Sequence, residues 1–148
     1  MAECKNIMVY VETAEGNPVK VGLEMLSPAK KLADKVTAVV IGGGVADAAK
    51  EVAKAGADQV ICVDSEDYKE FNLDAYAQVL VELVKEENPE AVFVGGTQDG
   101  KDIAPVVAAK CNTGCASDVL DIKAEDGEVI YTCPLYGGTV LELSLIHI

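Results

Sequence analysis

The chain is poor in positive charge. Its 148 residues carry 25 Asp and Glu against 12 Lys and Arg, a formal net charge of −13. Nucleic acids and anionic membrane surfaces are themselves polyanions, so neither is expected as a partner. The same charge keeps a chain in solution and favours a basic partner surface. Histidine is almost absent, the single example being His147. No Ser-His-Asp or Cys-His constellation can be assembled in the body of the chain, and no histidine-rich metal motif exists. No stretch approaches the ~20 apolar residues of a membrane helix, and the N-terminal run MAECKNIMVYVETAEG, with Glu3 inside it, is no secretory signal. Membrane insertion is therefore not expected. The five cysteines, Cys4, Cys62, Cys111, Cys115 and Cys133, are odd in number and scattered. They form no disulfide framework, and Cys111 with Cys115 lacks the second Cys or His pair of a zinc site. All five read as reduced thiols, with Cys62 a small core residue, and the compartment implied is cytoplasmic. Internal repeats, low-complexity segments and linkers are also missing.

What remains is a chain half hydrophobic, long enough for one domain that buries roughly 68–70 % of its unfolded surface. Four short apolar runs stand out: Ile7–Val11, Val36–Ile41, Val60–Val63 and Ala91–Val94. Each is rich in β-branched residues and bounded by glycine or charge, as strands covered on both faces should be. Helical periods lie between them. Leu73, Tyr76, Ala77, Leu80, Leu83 and Val84 share one face, with Asn72 placed to cap the start, Asp74 in the first turn and Asn88-Pro89 at the end. A helix after Gly44 is expected to bury Ala48, Ala49, Val52 and Ala53 and to stop at Gly56. Another spans about residues 21–35, where Ser27-Pro28 either starts a new helix or kinks a longer one. Strand–helix alternation with short loops predicts a doubly wound α/β fold, a mainly parallel sheet with helices on both faces. After Cys115 the pattern changes. Val119–Lys123 and Glu128–Cys133 flank Asp126-Gly127, which predicts a C-terminal β-hairpin.

The segment from Gly95 to Leu120 is the most informative. An apolar run ends at Gly95-Gly96, a helix opens at about Asp99 to Asp102, and Asn112-Thr113-Gly114 closes it. A strand, a glycine turn and a helix N-terminus together aim backbone N–H groups at an anion. Gly95 to Lys101 nearly completes a phosphate-binding loop, but Asp102 stands where Ser or Thr should ligate magnesium, and Pro105 points to a helix start near Asp102. Thr97, Gly100 and Lys101 are the candidates for an anion or nucleotide contact; the other reading is a tight turn. Gly42-Gly43-Gly44 is half a dinucleotide fingerprint whose third glycine would be Asp47, and it reads as a turn. Asp99 with Asp102, and Asp118 with Asp121, are spaced i, i+3, and the first pair reads as helix capping. Tyr131 and Tyr136 read as packing residues.

This segment resembles the signature of electron transfer flavoprotein alpha subunits, Gly-x-Thr-x-x-Gly-(Arg/Lys)-Asp-(Leu/Ile)-Ala-Pro-x-(Val/Leu)-Ala, followed later by Ser-Asp-Val. Gly95, Thr97, Gly100, Lys101, Asp102, Ile103, Ala104, Pro105, Val107, Ala108, Ser117, Asp118 and Val119 fit it. The resemblance runs from about Ile7 to Gly138, with residues 1–142 corresponding to the family's first domain and 143–148 to an atypical, truncated tail. It implies a subunit that pairs with a beta subunit, FAD held by the complete heterodimer, and electrons passed from or to acyl-CoA dehydrogenase-type enzymes, as in fatty acid β-oxidation. The main FAD site is expected outside this stretch, which alone should bind no flavin and is a carrier rather than a catalyst. Cys133 and Val106 replace arginines common in the family and remove positive charge from the partner contact. A stand-alone adenine-nucleotide-binding domain of the universal-stress type is the alternative.

Overall fold

The computed structural model describes residues 4–117, 119, 121–125, 128–135 and 140–146, with side chains through residue 123. The elements run β1 (Cys4–Tyr10), β2 (Thr13–Ala14), β3 (Asn17–Pro18), α1 (Lys20–Leu32), β4 (Ala33–Gly42), α2 (Ala46–Lys54), β5 (Gln59–Asp64), a 3-10 turn (Glu66–Tyr68), α3 (Leu73–Glu87), β6 (Ala91–Val94), α4 (Gln98–Lys110), β7 (Asp121–Glu125), β8 (Glu128–Leu135) and β9 (Val140–Ile146). The four apolar runs become a parallel sheet of order β5-β4-β1-β6.

Alternation along β1 and β4 divides the core in two. Ile7, Val9, Val11, Val36, Ala38 and Val40 pack with Leu26 and Ala29 of α1 and with Ala48 and Val52 of α2. Met8, Tyr10, Val39 and Ile41 turn the other way, onto Tyr76, Ala77 and Leu80 of α3 and Ile103 and Val107 of α4. Contiguous apolar runs are what a sheet covered on both faces requires, and the doubly wound architecture is as the pattern predicts. Beyond α4, Ala116, Val119 and Ile122 pack against the α1/α2 side of the core. The C-terminal strands form more than a hairpin: β7, β8 and β9 make a three-stranded antiparallel sheet with Glu125 opposite Glu128 and Leu135 opposite Val140. The expected turn at Asp126-Gly127 lies outside the described residues, as do Asp118, Tyr136 and His147. Strand β9 crosses the division drawn at residue 142.

Capping explains where the helices begin and end. Asn72 accepts the N–H of Ala75, and Asn88, at φ 48°, terminates α3. Asn112, at φ 56°, ends α4: Thr113 N–H reaches Ala108 O and Asn112 N–H reaches Ala109 O, the paired bonds of a Schellman motif.

Three local expectations are corrected, and the alternative left open at Ser27-Pro28 is decided in favour of one longer helix. Helix α1 ends at Leu32 instead of continuing to residue 35, because Ala33 pairs with Cys4 and extends β4 backwards. Pro28 lies inside α1 and starts no new helix. Both Pro28 and Glu24, whose carbonyl its missing N–H would have met, are exposed, so solvent takes the place of the lost bond. Ala53 of α2 is exposed and Ala49 half-buried, leaving Ala48 and Val52 as its buried face. Cys62 is exposed rather than in the core, because β5 is an outer strand none of whose residues is fully buried.

Candidate functional site

In a sheet of order β5-β4-β1-β6, chain progression from β1 runs through β4 to β5 on one side and then jumps to β6 on the other. The crevice between the carboxyl ends of β1 and β6 is the topological switch point, where open α/β sheets bind ligands. Two segments meet there. Glu12 follows β1, and Thr97 opens α4 after the Gly95-Gly96 turn that ends β6.

Thr97 has extended backbone angles, φ −80° and ψ 173°, and its hydroxyl accepts the N–H of Gly100 at 3.0 Å. That makes it the N-cap. Helix α4 therefore starts at Gln98, before the expected Asp99–Asp102, with Pro105 inside it rather than fixing its start. Lys101 and Pro105 are both exposed, so the bond that Pro105 cannot make falls on the solvent side. The same Thr97 hydroxyl donates to Glu12 Oε1 at 2.5 Å, joining residues 85 apart in sequence. A carboxylate from this chain thus occupies the position that the helix dipole offers to an anion. Burial raises the Glu12 carboxyl above its ordinary range, Asp99 adds to the rise, and the Thr97 hydrogen bond opposes it.

Gly95, Gly96 and Gly100 all avoid positive φ. Gly100 is glycine for want of space: a Cβ there would stand 1.9 Å from the Gly95 carbonyl oxygen. Of the sequence candidates, Thr97 and Gly100 meet at this turn. Lys101 is exposed on the helix beyond it. Asp99 is half-buried in the first turn, and Asp102 is exposed, with Gln98 Nε2 at 3.5 Å. Asp121 sits in β7, far along the chain from this turn.

A cavity of about 420 Å³ opens over the carboxyl ends of β1 and β4 beside the turn. Tyr10, Glu12, Glu15, Phe71, Tyr76 and Asp99 line it, together with the Gly42–Gly44 loop. The loop is a turn, as read from sequence. Gly44 holds φ +71°, and its N–H is taken by Asp64 Oδ1 at 2.7 Å. The aromatic wall is ordered by edge-to-face contacts of Tyr76 with Tyr68 and Phe71, centroids 5.8 and 5.1 Å apart, and by the Tyr76 hydroxyl donating to the Tyr68 carbonyl. Burial first, then the charges of Glu12 and Asp99, push the Tyr10 phenol far up, so it stays neutral. A second cavity, of about 510 Å³, lies between α3, β6 and the end of α4 and is mainly apolar. The buried hydroxyl of Thr113 beside it has no hydrogen-bond partner.

Sequence reasoning missed Tyr10, Glu12 and the β2–β3 hairpin whose turn residues Glu15 and Gly16 both hold positive φ. The signal for Glu12 was present: a carboxylate directly after the first apolar run sits at a strand's carboxyl end, where ligands of this fold class bind.

A family model described as the electron transfer flavoprotein domain matches residues 7–146. Among curated relatives, Protein FixB of Clostridium saccharobutylicum is 37% identical over 147 residues, covering 95% of this chain and 44% of the relative. The electron transfer flavoprotein subunit alpha of Syntrophomonas wolfei is 39% identical over 133 residues, 90% of this chain and 42% of the relative. The acryloyl-CoA reductase electron transfer subunit beta of Anaerotignum propionicum is 38% identical over 118 residues, 77% of this chain and 32% of the relative. The chain therefore spans less than half the length of these relatives. The alpha-subunit signature sits on the turn and along α4 as far as Ala108, and the family match spans nearly all of the sequence; this chain belongs to the electron transfer flavoprotein family.

Proposed function

We propose that the chain is part of an electron-transfer subunit of the alpha type. On this reading residues 1–142 form its N-terminal domain, residues 143–148 are an atypical tail, and the subunit pairs with a beta subunit in the cytoplasm. The observation that carries it is the signature placed at the switch point, Thr97 capping α4 and Gly100 packed on Gly95, within a family match over residues 7–146. The name of the acryloyl-CoA reductase subunit supports acyl-CoA oxidoreductases of the dehydrogenase type as electron donors or acceptors. The chain is a carrier component and not a catalyst by itself, because a bound flavin supplies redox chemistry that no side chain here provides.

FAD belongs to the complete heterodimer. The cavity over the carboxyl ends of β1 and β4 does not fit its diphosphate, since Glu12, Glu15 and Asp99 line it and like charges there repel phosphate. Thr97, Gly100 and Lys101 contribute to this function by fixing the turn and the partner-facing end of α4 rather than by holding a nucleotide. The same acidity argues against the stand-alone adenine-nucleotide reading. Among the described residues no helix is long and apolar enough to cross a membrane.

Co-expression with a beta subunit of the family, followed by purification and a flavin absorbance spectrum of a chain extended to its relatives' length, tests the assignment. A yellow complex is expected. Failure to co-purify would overturn the pairing. Equilibrium dialysis of the 148-residue chain with FAD should show no stoichiometric uptake.

A further inference from the structure

The cavity over the carboxyl ends of β1 and β4 has a lining that the family assignment does not explain. Tyr10 is only 2% exposed, yet its phenolic oxygen has no hydrogen-bond partner among the described residues. Its ring closes the cavity floor, and the charged and polar groups nearest it electrostatically, Glu12, Tyr76 and Asp99, all line the same space. The hydroxyl is not sealed in the core: Tyr10 borders the cavity, so whatever enters can donate to its oxygen. Around it stand three carboxylates, Glu12, Glu15 and Asp99, and one ammonium, Lys69. The Lys69 ammonium lies 3.9 Å from Glu66. The lining is therefore net negative, and among the described residues half-buried Glu12 has the Thr97 hydroxyl as its one donor.

Two ligand classes are disfavoured by this layout. Phosphates and carboxylates meet like charge. A metal ion needs converging ligands, and among the described residues no group of three or more His, Cys, Asp and Glu is placed to hold one. The carboxylates are spread around a cavity of about 420 Å³, which suits a ligand that carries several N–H donors over some length. Exposed Phe71 and buried Tyr76 both line the cavity, and an organic cation gains from aromatic neighbours as well as from carboxylates. We propose that the cavity over the carboxyl ends of β1 and β4 binds a small organic cation, a primary amine or diamine, through Glu12 and Asp99, with the Tyr10 oxygen accepting from its ammonium group.

Isothermal titration of the full 148-residue chain with putrescine at low salt tests this, with AMP, inorganic phosphate and magnesium as separate titrants. Saturable 1:1 uptake of putrescine is expected. Tyr10→Phe, which removes one oxygen and no volume from the core, and Glu12→Gln, which still accepts from Thr97, should each weaken it about tenfold or more, the size of a charge-assisted hydrogen bond. Glu82→Gln, on the exposed side of α3, should leave it unchanged, and thermal melts verify that all three variants fold. Absence of putrescine binding overturns the proposal. So does binding that all three variants retain equally, which reports only general acidity. Preferential uptake of AMP, phosphate or magnesium at this cavity overturns it as well.

Discussion

Gly100→Ala sets local propensity against tertiary packing, and the two predict opposite signs. In an ordinary helix interior alanine is more stable than glycine by about 1 kcal/mol. Gly100 lies in the first turn of α4 without a positive φ, so propensity alone forecasts a gain. The structure forecasts a loss. The new Cβ would stand 1.9 Å from the Gly95 oxygen, 3.1 Å from the Gly95 carbonyl carbon and 3.0 Å from Glu12 Oε1, whereas a relaxed carbon–oxygen contact needs about 3.3 Å or more. The nearest obstacle is backbone, so no side-chain rotation relieves it. Helix α4 must move off the end of β6 by more than an ångström. That motion breaks the Thr97 cap, about 1 kcal/mol, and overpacks a close contact, about 1–3 kcal/mol. The net expectation is a destabilisation of about 2 kcal/mol, equivalent to a fall in melting temperature of roughly 4–8 °C for a chain of this size. Urea unfolding followed by circular dichroism measures it. Gly96→Ala, where an added Cβ meets nothing within 4 Å, is the control and should stay within about 0.5 kcal/mol of wild type. A Gly100→Ala chain as stable as wild type, or more so, would refute the packing argument.

Further outcomes concern the same turn and the thiols. Thr97→Ala removes the cap of α4 and the donor to Glu12, and urea titration should show a loss of about 1–2 kcal/mol. Burial holds the Glu12 carboxyl above its unfolded value of 4.5, so the folded chain keeps this proton to higher pH than the unfolded chain. Its unfavourable contribution is absent below the unfolded value and grows as pH rises through the folded one. Glu12→Gln should therefore gain stability over wild type at pH 7 and lose that advantage near pH 4.5; a difference independent of pH would count against the assignment. Cys62 and Cys115 are exposed and Cys4 is buried, so iodoacetamide followed by peptide mass mapping should label the first two in the native chain and Cys4 only after unfolding. Reductant should leave the melting temperature unchanged. Lys101→Ala should alter stability by no more than about 1 kcal/mol, and neither it nor wild type should hydrolyse ATP with magnesium above background.

What the sequence determined by itself is the set of elements and their two-sided burial. Ile7–Val11 is apolar at every position and Val36–Ile41 at all but Thr37, which specifies strands covered on both faces. The period of α3 and its caps at Asn72 and Asn88 are written in neighbouring residues, as is the stop at Asn112, because capping bonds span only a few positions. The alpha-subunit signature was equally local. Strand order was not. Only the assembled sheet puts β1 between β4 and β6, and only that arrangement brings Glu12 to Thr97 across 85 residues. The same step converted a loop that looked ready for an anion into one already facing a carboxylate, and left Tyr10 at the floor of an acidic cavity. Cys62 came out exposed for a related reason: its run reads as buried, but β5 falls at the sheet's edge, and edge position depends on which strands pair rather than on the residues within one. Even the need for glycine at 100 has a tertiary cause, the approach of the Gly95 carbonyl. Periodicity and capping act over one turn or one strand, whereas which elements meet is settled by burial among parts distant in the chain, and that is the information a linear pattern does not carry.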